Sequence, residues 1–303
     1  MFFTAQMEAD TKDQTELHRD LRLALDDPSG GALSLHYQAK VCTHNGQITG
    51  VEALLRWRHP VRGMVGPAQF IPVAERFGVI SALGAWVIEQ ACQQLRQWQA
   101  QGLWLAVAVN LSVHQLRQPG LVAHVQATLQ HHQLDPQWLH FEITESAAMD
   151  DSDSTAQVLD ALAALAALGT DLSIDDSGTG YSSLAYLRRL PARQIKIDRS
   201  FIKDLHTDLD ARAIVAAVVG LAHALGLTVV AKGVELASQR DLLRDLGCDE
   251  LQGYLYARPV PAADLLRWAQ STGCPAALRF PPQAPTDPAY SAARQTEALA
   301  AEA

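Results

Sequence analysis

The chain has 303 residues, 19% of them charged and 48% hydrophobic, and a formal net charge of −9. This is the composition of a globular protein with a large core, long enough for one large domain or two ordinary ones. The acidic balance excludes broad binding of duplex DNA or RNA, no apolar run reaches the roughly 18 residues of a membrane span, and the opening MFFTAQMEAD lacks the basic start and apolar stretch of a secretory signal.

Residues 1–28 read as a helical lead-in: Leu17, Leu21 and Leu23 share a helical face, and the run from Asp26 to Gly31 stops it. LSLHYQAKV (33–41) reads as a strand, His44-Asn45-Gly46 as a tight turn and ITGVEALLRW (48–57) as a second strand, so the first two strands run antiparallel. Helical and strand patterns then alternate. Helix 81–101 leads to strand 105–112, helix 120–132 to strand 139–146, and the Ala- and Leu-rich helix 153–168 to a strand ending at Asp175. A short helix, 182–190, leads to RQIKIDRSFI (193–202), helix 210–225 to LTVVAKGVE (227–235), and helix 237–246 to ELQGYLYARPV (250–260), before a last helix, 261–272. This alternation predicts an α/β fold over residues 29–273, a closed (β/α)8 TIM-like barrel with an antiparallel first strand. An open doubly wound sheet would carry a glycine-rich phosphate turn after its first parallel strand, and none stands there. Residues 274–303, rich in Pro and Ala, read as a disordered tail. Cys42, Cys92, Cys248 and Cys274 lack CxxC spacing and read as buried thiols of a reducing, cytoplasmic compartment.

In such a barrel the C-terminal ends of the strands converge on the face that carries activity. TDLSIDDSGTGYSS (170–183) sets Asp175 and Asp176 side by side before a Gly-Thr-Gly turn, and adjacent acids resist joint ionisation unless a cation neutralises them. Alone, the pair is more simply a solvated turn. The same face also collects Glu52, Asn110 and Glu142, with Lys196, Lys232, Glu235 and Gln252 beyond, and hard oxygen donors in such number suit Mg²⁺ or Mn²⁺. His131-His132 offers imidazoles, but helical neighbours point apart, and both read as surface histidines; His223, on an apolar helix, reads as a packing residue.

These motifs resemble the EAL domain, the cyclic di-GMP phosphodiesterase family. The likeness runs from about Leu33 to Gln270. It rests on Glu52-Ala53-Leu54 within EALLRW, the HPxxG run from His59, FIPVAE (70–75), VNLS (109–112) and FEITES (141–146). DDSGTGYSSL (175–184), KIDRSF (196–201), GVE (233–235) and QGYLYARP (252–259) complete it. The resemblance implies a two-metal reaction that opens one phosphodiester of cyclic di-GMP to give linear pGpG. It assigns Glu52, Asn110, Glu142 and Asp175 to a first Mg²⁺ or Mn²⁺, with Asp175 bridging to a second that Asp176 also holds. Lys196 would stand near the attacking water and belongs, with Glu235 and the position of Lys232, to the catalytic set. Arg56 would contact phosphate, Gln38, Asp198, Glu235 and Gln252 would hold the nucleotide, and Glu145 would anchor the loop carrying the acid pair. A plain strand-end ion pair is the lesser, alternative reading of Lys196 and Asp198.

One departure bears on turnover. Where the family has AEGVE this chain has Ala231-Lys232-Gly233-Val234-Glu235, so a lysine replaces the glutamate that the resemblance assigns to the second metal and to activating water. At about 4 Å and an effective dielectric near 20, one unit-charge contact is worth roughly 4 kcal/mol, so the reversal is expected to empty the second site. A buried lysine that loses its proton could in principle act as a base instead. Ser177 in place of Phe and Ala39 in place of Pro are smaller changes, in loop anchoring and strand rigidity. Three readings follow: an active phosphodiesterase, a receptor that keeps the pocket without turnover, and a scaffold that binds no nucleotide. The broken second-metal set favours binding over turnover. The lead-in resembles the connector that joins a GGDEF-type cyclase domain to an EAL domain, which suggests a longer parent, or it packs under the barrel. A homodimer through barrel helices is a further expectation from the family.

Overall fold

The computed structural model describes residues 2–27, 30–144, 155–177 and 187–271. Helix α1 (Phe2–Asp26) precedes the hairpin of β1 (Leu33–Cys42) and β2 (Ile48–His59), followed by the short β3 (Gly63–Val65), α2 (Pro67–Arg76) and α3 (Ile80–Ala100). Then come β4 (Ala106–Asn110), α4 (Val113–Leu116), α5 (Leu121–His131), β5 (Leu139–Thr144), α6 (Thr155–Ala167) and β6 (Asp171–Ser177). The second half holds β7 (Gln194–Ile197), α7 (Arg199–Lys203), α8 (Leu209–Ala224), β8 (Thr228–Lys232), α9 (Ala237–Asp245), β9 (Glu250–Gln252) and α10 (Ala262–Ser271).

The strands close as β1-β2-β4-β5-β6-β7-β8-β9 and back to β1, with β3 an appendage of β2. Both pairings of β1 are antiparallel, and every pairing from β2 through β4 to β9 is parallel. The barrel with an antiparallel first strand is therefore the fold of this chain. Val107, Val109, Phe141, Ile174, Ile195, Val229 and Leu251 are buried in one continuous core with the inner faces of α3, α6 and α8. Glycines in the left-handed region, Gly226 (φ 72°) and Gly247 (φ 83°), end the helices before β8 and β9, where a Cβ would be strained.

The lead-in helix packs. Leu17 and Leu21 are buried in a second cluster with Trp57, Phe70, Val73 and Leu83. His59 fixes the contact: its Nδ1 accepts the backbone N–H groups of Val61 and Arg62, so Nε2 carries the proton donated to Asp20, 3.0 Å away. Arg62 reaches Asp13 at 2.6 Å on the same flank.

Several expected bounds change. The 193–202 strand stops at Ile197, because Asp198 takes extended backbone and caps α7 by accepting from Ser200 N at 2.9 Å. The 227–235 strand stops at Lys232, before the left-handed Gly233. Of 250–260 only Glu250–Gln252 is strand, with Val260 returning as a single bridge to Tyr37. Most of the helix expected at 182–190, Glu145, Cys274 and the 274–303 tail lie outside the described residues.

Just past β9 the chain runs against the end of β8. Val234 N donates to Gln252 O at 3.1 Å, Leu255 N donates to Val234 O at 3.0 Å, and a Cβ on Gly253 would lie 2.0 Å from Val234 O. No flexible side chain can yield there. Gly253→Ala is expected to cost about 1–3 kcal/mol, as overpacking does, read as a lowered thermal midpoint; an unchanged midpoint would show that the β8–β9 crossing is not tightly fixed.

Candidate functional site

Each barrel strand delivers at least one polar side chain to the mouth, and β1 delivers two because strand residues two apart share a face. Glu52 on β2 faces Gln38 in the β1 register, Asn110 on β4 faces Glu142 on β5, and Lys232 on β8 faces Gln252 on β9. Glu52, Glu142 and Asp175 are all buried, and each offers a carboxylate oxygen within 4.8 Å of the others. Asn110 Nδ2 donates to Glu52 Oε1 at 3.0 Å. Gln252 Nε2 donates to Glu52 Oε2 at 2.8 Å and to Gln38 Oε1 at 3.2 Å, while Gln38 Nε2 donates to Ala257 O.

Two lysines carry the compensating charge. Lys196, fully buried, donates to Glu52 Oε2 at 2.9 Å and to Glu142 Oε2. Lys232 donates to both oxygens of Asp175, at 2.8 and 2.9 Å, and to Asp176 Oδ1 at 2.9 Å. A third ammonium, Lys40 on β1, lies 3.8 Å from Glu142 Oε1. Lys40 was absent from the residues expected at the site; its place two residues beyond Gln38 on the same strand face was the available signal.

Adjacent residues of a regular strand point to opposite faces, so Asp175 and Asp176 should diverge. They converge on one ammonium because the β6–β7 register breaks between Ile174 and Ser177, and Asp176 adopts a left-handed φ of 56°. The bulge re-aims the second carboxylate. Asp175 Oδ1 also accepts from the Asp176 backbone N at 2.8 Å.

Burial opposes ionisation of both central glutamates. At Glu52 the pull of Lys196 and Lys232 overcomes it, and the pKa is lowered. At Glu142 burial and the charge of Glu52 prevail over Lys196 and Lys40, and the pKa is pushed up to about 7. Lys232 would also be lowered by burial, but Asp175 outweighs it and its pKa is raised, so in this arrangement it is an ammonium and not a neutral base.

The other expected residues are spread around this centre. Arg56, half-buried on β2, bonds Leu55 O at 3.0 Å. Asp198 is not paired with Lys196; it caps α7. Glu235 is exposed beyond β8, its backbone N bonded to Gln239 Oε1. A cavity of about 700 Å³ adjoins the acids through Asn110 and runs between β2 and α2–α4, lined by Leu54, Ile71, Glu75, Leu83 and His114. The histidines correct one expectation. His131 and His132 do not point apart, for their rings lie 4.8 Å apart and both reach Glu89. His223 is satisfied by Asp249 at 2.9 Å.

The sequence profile described as EAL domain matches residues 18–259. The bifunctional diguanylate cyclase/cyclic di-GMP phosphodiesterase MucR of Pseudomonas aeruginosa is 49% identical over 267 residues, which cover 88% of this chain and 38% of MucR. The cyclic di-GMP phosphodiesterase NbdA of the same organism is 42% identical over 87% of this chain and 33% of its own. The chain thus spans between a third and two fifths of the length of these relatives. The solved PaMucR phosphodiesterase in complex with c-di-GMP has a TM-score of 0.77 at 49% identity, covering 82% of this chain and 99% of that one. The Pseudomonas aeruginosa FimX EAL domain bound to c-di-GMP has a TM-score of 0.72 at 26% identity, covering 80% and 96%.

Lys196 is the sole ammonium bonded to both Glu52 and Glu142 among the described residues. Removing one partner of a buried ion pair typically costs about 3–5 kcal/mol, because the other charge is left buried. Lys196→Met is expected to lose that much in urea unfolding without divalent ions; an unchanged midpoint would show that the acids do not depend on it.

Proposed function

The chain belongs to the EAL domain family, and on that premise we propose that it binds cyclic di-GMP at the barrel mouth and hydrolyses it to linear pGpG only weakly, so that binding carries the signal. The observation behind this reading is the ammonium of Lys232, 2.8–2.9 Å from three oxygens of Asp175 and Asp176.

The donor set fits a first Mg²⁺ or Mn²⁺. Glu52, Glu142 and Asp175 offer hard oxygens close together, Asn110 adds an amide oxygen, and Glu142 Oε1, 3.8 Å from Lys40, is buried with no hydrogen-bond partner among the described residues. When bound, such an ion polarises a phosphodiester and activates water. The set does not fit a second dication, because the space between Asp175 and Asp176 already holds a positive charge that cannot ligate. No step is assigned to a second metal.

The remaining residues bind and orient. The half-buried guanidinium of Arg56 lies in the field of Glu52 and supplies a cation for a phosphate. Gln252 Oε1 is buried with no partner among the described residues, an acceptor free for an N–H of a guanine. Gln38 holds that amide in place at 3.2 Å. The cavity beside Asn110 has the size of a small-molecule site and room for a base. Lys196 bonds Glu52 and Glu142 and favours the ionised form of both, prevailing over burial at Glu52 alone. Glu235 and Asp198, at the rim, complete the proposed nucleotide contacts, and the relative MucR, a bifunctional cyclase and phosphodiesterase, supports a cyclase unit elsewhere in a longer parent.

Loss of an acid–base group costs about 10²- to 10⁴-fold. Lys232→Glu is therefore expected to raise pGpG formation in Mn²⁺ at least a hundredfold, while calorimetry shows the unaltered chain binding cyclic di-GMP. Equal rates in the two forms would refute the role of Lys232, and no binding by the unaltered chain would refute the receptor reading.

A further inference from the structure

We propose that Glu89, His131 and His132 form a second metal site, outside the barrel mouth, for a borderline divalent ion of the Zn²⁺ class. Glu89 lies on α3 and the histidines at the C-terminal end of α5. One ligand atom from each residue lies within 4.8 Å of the other two, and His132 Nε2 stands 2.7 Å from Glu89 Oε1. Two imidazole nitrogens and one carboxylate oxygen, with water in the open position, are a donor set that Zn²⁺ accepts. Bonds of about 2.0–2.1 Å to a tetrahedral ion set ligand atoms about 3.3 Å apart. The ligand atoms already lie within 4.8 Å, and neither the half-buried Glu89 nor the exposed His131 is locked in the core.

The backbone supports this geometry. Helix α5 ends at the pair: His132 is the C-cap, Gln133 takes a left-handed φ of 53°, and Leu134 N returns to Leu129 O at 3.0 Å. Unliganded carbonyls at a helix C-terminus favour a cation. Gln133 and Asp176 are the two non-glycine residues with positive φ among those described, and each adjoins one of the two clusters able to hold a metal. Such strained conformations persist where the surroundings determine them, often at ligand sites. Cys92, one turn from Glu89, takes no part: it is fully buried, and burial and the charge of Glu89 push its thiol up to about 12. The site would staple α3, which leads into β4 and Asn110, to α5, which leads into β5 and Glu142.

The test titrates the full chain with Zn²⁺ alone while excess Mg²⁺ saturates the barrel mouth, with Co²⁺ absorption reporting nitrogen ligation. One Zn²⁺ equivalent and a raised thermal midpoint are expected. His131→Ala and Glu89→Gln, at positions outside the core, should each weaken uptake at least about tenfold while keeping native circular dichroism. Glu142→Gln should leave uptake unchanged. Uptake that survives both α3 and α5 substitutions, or that vanishes with Glu142→Gln, would place the ion at the mouth and overturn the proposal, as would no uptake at all.

Discussion

The constraint on which the barrel mouth depends is the crowding of charge at converging strand ends. Glu52, Glu142, Asp175 and Asp176 bring four carboxylates together, three of them buried. Between apolar walls, charges interact more strongly than in water, and a carboxylate without a partner costs several kcal/mol. The chain answers with three ammonium groups, Lys40, Lys196 and Lys232, placed on the same side of the barrel. Lys196 serves the pair at the centre, and Lys232 serves the pair on β6. The mouth is thus nearly balanced by its own side chains. A glutamate at position 232 would instead add to the negative charge of Asp175 and Asp176.

The barrel was legible because its two periods alternate cleanly and because Asn45-Gly46 announces the one reversal. Strand ends were overrun for a physical reason. Phe201 and Val234 continue the apolar pattern, but they pack from α7 and from the turn after β8, so burial extends beyond hydrogen-bonded pairing. Helix α2 escaped notice because Pro67 and Pro72 mask its pattern, although Pro67 sits where a missing N–H costs nothing. Most site residues stood out as polar side chains ending apolar strands. Lys40 did not, since a lysine within a strand reads as facing solvent until both faces are known to be buried. Asp198 was legible by type but its local duty was not, since a strand-end aspartate and a helix cap look alike in sequence.

Adjacent side chains made both the best and the worst reading. Asp175-Asp176 and His131-His132 are neighbours in sequence, and regular backbone would send each pair apart. At the aspartates the backbone is irregular, with a bulge and a left-handed residue; at the histidines, His131 ends α5 and His132 keeps αR backbone, so the left-handed Gln133 that follows does not set their direction. For the aspartates the Gly-Thr-Gly turn warned of irregularity. For the histidines nothing in the sequence did, because the backbone is αR at both and the rings, 4.8 Å apart, meet through their side-chain torsions.

In the function proposed, Lys232 acts on catalysis and binding unequally. Rate acceleration requires interactions that strengthen on the way to the transition state. The charge of Lys232 is already engaged by Asp175 and Asp176 at 2.8–2.9 Å before any substrate arrives, so it has little left to gain as charge develops on a phosphodiester. Binding has no such requirement. It needs a shaped cavity, a cation for phosphate and donors and acceptors for the bases, and the groups proposed for it, Arg56, Gln252 and the space beside Asn110, lie apart from the Asp176 carboxylate. On the proposed reading a single residue therefore separates binding from turnover, because only turnover needs the acid pair on β6 to be free.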